Sequence, residues 1–199
     1  MLPQTLESEK TYKAAFLSCD KMLNQVIDCN LSGSTVTMVI FEGNKVITLN
    51  AGDSRAIKVS VSKRGEKTHV EATALTIDHK PELPEEKQRI LNAGGRIKAF
   101  KDNDTNEDIG PQRVWLRNQE MPGLAMSRSL GDKIAHSVGV SSVPEVLEHM
   151  LGNDDKFVVI ASDGVWEFIS NEEVATLVVP FYLENQPEAA ANALVRYAH

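Results

Sequence analysis

Between Tyr12 and Ile27 the apolar side chains fall at positions 12, 15, 16, 19, 22, 23, 26 and 27. Spacing of i, i+3, i+4, i+7 gathers them on one face of a helix, because 3.6 residues complete a turn. After Gly33 the period changes. Val36 to Phe41, Lys45 to Leu49, Arg55 to Val61 and Val70 to Ile77 are short runs rich in β-branched residues. Glu42-Gly43-Asn44, Gly52-Asp53-Ser54 and the segment from Lys63 to Glu66 around Gly65 separate them. Glycine, aspartate and asparagine accept the backbone angles of tight turns, so these runs predict strands joined as antiparallel hairpins.

Downstream, Asp78-His79-Lys80-Pro81 reads as a loop before a short helix. Pro84 suits the first turn of that helix, Ile90 and Leu91 are expected to face inward, and Gly94-Gly95 stops it. The stretch from Lys101 to Pro111 is polar and rich in Asp and Asn, and predicts a mobile surface loop. The continuous apolar run Phe157 to Ala161 predicts a buried strand. Ser170-Asn171-Glu172-Glu173 has the form of a capping box and starts a helix carrying Val174, Leu177 and Val178. Pro187 opens a last helix from about Glu188 to Tyr197. The pattern as a whole predicts an α+β fold, with antiparallel sheets covered by helices.

Composition narrows the function. A chain of 199 residues is a one-domain length, long enough to bury a sizeable core. Its net charge of −7 repels phosphate backbones, so nucleic acid is not an expected partner. Cys19 and Cys29 form no Cys-x-x-Cys pair and read as reduced thiols, one of them buried on a helix face. That usage suits a reducing compartment, cytoplasmic or nuclear. Met1 to Lys10 lacks the apolar core of a signal peptide. The longest apolar stretches, such as Leu177 to Leu183, fall short of the ~18 residues of a membrane span.

Three aspartates stand where chemistry could be held. Asp53 follows Val46 to Ala51, Asp132 ends Leu130-Gly131-Asp132, and Asp163 follows the run Phe157 to Ala161 and precedes Gly164. A carboxylate at the end of a buried strand is held rigidly yet can face a cleft. Several such carboxylates converging would suit a hard cation, Mg²⁺ or Mn²⁺. Aspartate beside glycine is equally ordinary turn chemistry, and spacing alone does not decide between the two. The histidines show no metalloprotease spacing, Ser127 and Ser129 lack a Gly-x-Ser-x-Gly elbow, and no glycine-rich phosphate loop occurs.

Taken together, the motifs carry a resemblance. Ser32-Gly33-Ser34-Thr35, Gly52-Asp53-Ser54-Arg55-Ala56 and Asp78-His79-Lys80-Pro81 come first. Glu86-x-x-Arg89-Ile90-x-x-Ala93-Gly94-Gly95, Leu124 through Asp132 (Leu-Ala-Met-Ser-Arg-Ser-Leu-Gly-Asp) and Ala161-Ser162-Asp163-Gly164-Val165-Trp166 follow. From about Ser32 to Glu173 the chain resembles the metal-dependent protein serine/threonine phosphatases of type 2C. The segment from Gly110 to Leu116, with Pro122-Gly123-Leu124, is most similar to plant and protist members.

The resemblance implies two stacked antiparallel β-sheets flanked by helix pairs. It implies two or more Mg²⁺ or Mn²⁺ ions in a complete domain, a water activated by metal, and phosphoserine or phosphothreonine in phosphoproteins as substrate. It gives Asp163 and Asp53 the role of metal ligands. Glu167 stands where the family often has aspartate and is assigned to the outer shell, while Arg128 and Asp132 are assigned as supports. Ile97 to Met121 corresponds to the flap beside the substrate cleft. No Asp-Gly-His-Gly-Gly motif occurs, nor the C-terminal Asp-Asn motif. The implied picture is therefore an incomplete phosphatase domain, truncated at both ends, inactive alone and with no catalytic residue assigned. The alternative is a non-catalytic phosphatase-like module that binds protein partners. Strand edges opened by truncation predict self-association.

Overall fold

Backbone contacts sort the chain into two units in the computed structural model, which describes residues 3–65, 67–102 and 104–198. In chain order the first elements are α1 (Pro3–Val26), β1 (Gly33–Ser34), β2 (Val36–Glu42), β3 (Lys45–Ala51), β4 (Arg55–Arg64), β5 (Lys67–Ala74) and α2 (Pro84–Asn92). There follow β6 (Arg96–Lys101), β7 (Asp108–Trp115), β8 (Pro122–Leu124), β9 (Leu130–Gly131) and α3 (Lys133–His136). The chain ends with β10 (Glu145–Met150), β11 (Asp155–Ala161), α4 (Asp163–Trp166), α5 (Asn171–Leu183) and α6 (Pro187–Ala198).

The first unit comprises Met1–Val36, Leu49–Asp53 and Asp78–Glu145. Helix α1 takes up the predicted amphipathic stretch as far as Val26, leaving Ile27 outside, and starts earlier, at Pro3. Of the predicted apolar face, Phe16 is buried, whereas Met22, Val26 and Ile27 are exposed. The helix-borne Cys19 is also exposed; the buried cysteine is Cys29, beyond the helix. Helix α2 has Pro84 in its first turn, Glu85 and Glu86 beside the positive end of its dipole, and Arg89 near the negative end. Gly94, at φ 83°, takes the left-handed angle that stops it. Ile90 is fully buried, but Leu91, 100° further round the helix, is exposed rather than inward-facing.

Ile90 packs with Val114, Ala135, Val138 and Val140 in this unit's core. Strands β6, β7 and β8 form an antiparallel sheet over the same core. The loop expected from Lys101 to Pro111 is therefore mostly hairpin. Cross-strand contacts override the polar composition: Phe100 meets Trp115 edge-on at 5.2 Å, and the Trp115 indole N–H donates to the Lys98 carbonyl at 2.9 Å. The turn at the tip is closed by Asp102, whose carboxylate accepts from the Asp104 and Thr105 amides at 2.8 Å each.

The second unit comprises Thr37–Thr48, Ser54–Ile77 and Val146–His199. It holds two three-stranded sheets, ordered β10-β3-β2 and β11-β4-β5. Strands β4 and β5 form the predicted hairpin, and β11 pairs antiparallel with β4. Val46, Ala56 and Leu75, packed against Val39, Leu151 and Val158, fill the space where the sheets face each other. On the other face, Ile57 and Val59 pack with Val165, Trp166, Ile169, Val174, Val178 and Leu194 from the helices. The expected stacked sheets are thus present here, with helices on the outer face of the sheet that holds β4 and β11. The capping box is also present: the Ser170 hydroxyl accepts from the Glu173 amide at 3.2 Å, and the Glu173 carboxylate accepts from the Ser170 amide at 2.9 Å.

Strand β11 differs from expectation. Among the described residues it has β4 on one side only and lies at the end of its sheet, so its apolar run is half-buried, with Ile160 50% exposed. Among the described residues no helix is long and apolar enough to cross a membrane.

Candidate functional site

Strand β3 carries a fully buried run from Val46 to Ala51 into the turn at Gly52-Asp53. Gly52 sits at φ 120°, and a Cβ there would lie 2.3 Å from the Thr35 methyl carbon, so only glycine fits. Two donors and one ring nitrogen from the interior hold this turn. The His79 amide and the Asn50 side-chain amide donate to the Gly52 carbonyl at 2.9 and 3.1 Å, and His79 Nδ1 lies 3.3 Å from the Gly52 nitrogen. Gly52-Asp53 and His79-Lys80 therefore run side by side. Asp53 is 3% exposed, and its Oδ2 accepts from Lys80 Nζ at 2.5 Å. The sequence reading found Asp53 and missed this partner, whose pairing bridges 27 positions.

Behind His79 lies a buried ionic cluster that the sequence reading also missed. Glu86, on α2, receives the two Nη atoms of Arg89 at 2.7 and 2.6 Å. Arg128 Nη2 donates to Glu86 at 2.7 Å, and the Ser127 hydroxyl does so at 2.6 Å. Burial pushes the Glu86 carboxyl up, but the bonds from Arg89, Arg128 and Ser127 outweigh it and hold the pKa at about 2. The cluster extends to main chain. Arg89 donates to the Ser127 and Gly139 carbonyls at 2.8 Å each, and Arg128 to the Val143 carbonyl at 3.1 Å. His79 is kept neutral by burial and then by the Arg128 charge, which lower its pKa to about 4; its Nε2 has no hydrogen-bond partner among the described residues. A Glu-x-x-Arg pair on one helix was the available signal, because i and i+3 share a face.

Asp132, in the same unit, follows β9 at φ 43° and is buried. Its amide donates to the Ser32 carbonyl at 2.8 Å. Its carboxylate packs on Gly33, where an added Cβ would lie 2.0 Å from Oδ2. Gly33 and Gly131 pair across β1 and β9, and the Gly131 amide also donates to Asp20 at 2.7 Å.

In the second unit, β11 delivers Ser162 as the N-cap of α4, and Asp163 opens that short helix. Trp166 anchors the turn: its indole N–H reaches the Ala161 carbonyl at 2.8 Å, and the Arg55 guanidinium stacks 5.1 Å above the ring. Glu167 caps the turn, its amide donating to the Asp163 carbonyl at 2.8 Å. The backbone is thus fixed while the side chains of Asp163 and Glu167 remain exposed.

These carboxylates fit a hard divalent cation in kind: they offer oxygen, and Asp53 already faces one cation, the Lys80 ammonium. Among the described residues, no three His, Cys, Asp or Glu side chains gather within either unit as a metal cage.

Residues 2–199 match the family model for Protein phosphatase 2C. The chain is 40% identical over 191 residues to "Probable protein phosphatase 2C 72" of Arabidopsis thaliana, covering 96% of this chain and 54% of that protein. It is 44% identical over 152 residues to "Probable protein phosphatase 2C 12" of Oryza sativa subsp. japonica, covering 76% of this chain and 37% of the relative. The chain thus spans about half, or less, of the length of these relatives. Among solved structures it is similar to the serine-threonine phosphatase 2C from Toxoplasma gondii, with a TM-score of 0.80 and 25% identity. That match covers 99% of this chain and 62% of the other. With the family's motifs on ordered turns and the match running almost end to end, the chain belongs to the Protein phosphatase 2C family.

Proposed function

We propose that this chain forms part of a metal-dependent protein serine/threonine phosphatase domain that acts on phosphoproteins, in the cytoplasm or nucleus. The family match over residues 2–199 carries the reading. Asp53 and Asp163 would hold Mg²⁺ or Mn²⁺, with Glu167 behind Asp163. Bound metal would supply a nucleophilic water at neutral pH and offset phosphoryl charge. The chain's own part is positioning. Gly52 and His79 orient Asp53, Trp166 orients the Asp163 turn, and Arg128 and Asp132 support the loops around Gly131. Residues 97–121, built on β6 and β7, act as the flap beside the substrate.

The activity belongs to a domain of the relatives' full length, and the 199 residues alone are inactive. The test is Mn²⁺-dependent phosphate release from a phosphothreonine peptide. The chain alone should give background. A chimera in which it replaces the matching segment of the Arabidopsis relative should be active, and Asp163→Ala should lower that activity by about 10- to 100-fold or more. A chimera indifferent to Asp163→Ala would sink the assignment.

Self-association belongs to the same proposal. It is supported by the outer edge of β11, beside an apolar groove of about 290 Å³ lined by Phe157, Val159, Tyr182 and Leu194. Light scattering at micromolar concentration should show dimers or larger species; a strict monomer counts against it.

A further inference from the structure

We propose that Glu86 is a positioning residue for the Asp53–Lys80 pair, acting through Ser127 and His79. The role rests on the phosphatase reading, which gives Asp53 its task. The path is a continuous series of hydrogen bonds inside one unit. Glu86 accepts from the Ser127 hydroxyl at 2.6 Å and from Arg89, which also grips the Ser127 carbonyl at 2.8 Å. The Ser127 amide donates to the His79 carbonyl at 2.8 Å, and the His79 amide donates to the Gly52 carbonyl at 2.9 Å. The next residue along each segment is Lys80 or Asp53, and these two close the path with their ion pair.

Burial gives the path its stiffness. Ser127 is 0% exposed, His79 1% and Glu86 2%. Away from water, a broken bond in this path is not replaced by solvent, so each member fixes the next. The cluster at its base combines two guanidinium groups with one carboxylate, and Glu86 is the member both arginines share. It therefore sets where Ser127 stands, and Ser127 sets His79. Among the described residues His79 makes no bond through Nε2, so its position depends on its main chain and on Nδ1 beside Gly52.

The test on the 199-residue chain uses Ser127→Ala rather than a change at Glu86 itself. Glu86→Gln removes the shared charge and can prevent folding. Ser127→Ala keeps all charges and cuts only the hydroxyl link. Amide hydrogen exchange and the Lys80 ammonium signal are read by NMR well below the unfolding temperature. In Ser127→Ala, the His79 amide should exchange roughly tenfold or more faster and the Lys80 ammonium signal should broaden or vanish. The Trp115 and Ile97 amides of the neighbouring sheet should change less than threefold, about 0.6 kcal/mol of opening free energy. A purely structural role would raise all of these exchange rates by one common factor. That parallel rise, or an unchanged His79 amide and Lys80 signal, overturns the proposal. Because no activity is read, failure here leaves the phosphatase assay to stand or fall separately.

Discussion

Asp53 and Asp163 look alike in the sequence: each follows an apolar strand, and each adjoins a glycine. In the structure they are opposites. Asp53 is buried, held by the turn at Gly52 and paired with Lys80. Asp163 is exposed on a turn whose backbone is pinned by Trp166. One sequence signal therefore covers two physical states, a carboxylate already matched to a fixed cation and a carboxylate open to solvent. The difference arises from what lies behind each turn: a buried ionic cluster in the first case, an indole anchor in the second.

The largest expected effect breaks the buried side of this contrast. Glu86→Gln strands two guanidiniums, and should cost about 3–5 kcal/mol in urea unfolding. A wild-type midpoint would mean that the cluster is not organised by its charge. Next comes acidity. His79 has a folded pKa of about 4 against an ordinary 6.5, so the unfolded chain takes up its proton first. Its contribution, of order 3 kcal/mol, is full above about pH 6.5 and is lost as pH falls through about 4. Glu86 adds a further loss lower down, between its ordinary 4.5 and about 2. His79→Gln should flatten the upper part of that stability profile; an unaltered slope between pH 6.5 and 4 would show that another group titrates there.

Lys80→Met sharpens the comparison directly. It leaves Asp53 buried without its cation, and should cost about 1.5–3 kcal/mol. The smallest effect is expected at Asp163→Ala, within about 0.5 kcal/mol, since an exposed side chain is lost. Thermal denaturation of both variants side by side gives the ratio. Equal losses would erase the distinction between the two aspartates.

Elements fixed by local chemistry were legible. Ser170 and Glu173 announce the start of α5, Pro84 and Gly94 bracket α2, and the turn at Gly65 gives the β4–β5 hairpin. What the sequence hides is who the neighbours are. The polar stretch after Lys101 forms a hairpin because Phe100 and Trp115 meet across strands, and composition does not carry that contact. The run Phe157 to Ala161 has a buried strand's pattern, but a strand's burial depends on how many strands flank it. At the site, Asp53 was readable as a strand-end carboxylate, while Lys80 and Glu86 were not readable as its partner and support. Their links close loops of tens of residues, which no periodicity reports.

The tryptophans have a practical consequence. There are two, Trp115 in the first unit and Trp166 in the second. Both are buried, and each lies under a cation, Lys98 at 5.3 Å and Arg55 at 5.1 Å. Single-tryptophan variants, Trp115→Phe and Trp166→Phe, thus turn intrinsic fluorescence into a separate reporter for each unit. Emission that shifts at one denaturant concentration in both variants would mean that the two units melt together; two distinct midpoints would date their unfolding in sequence.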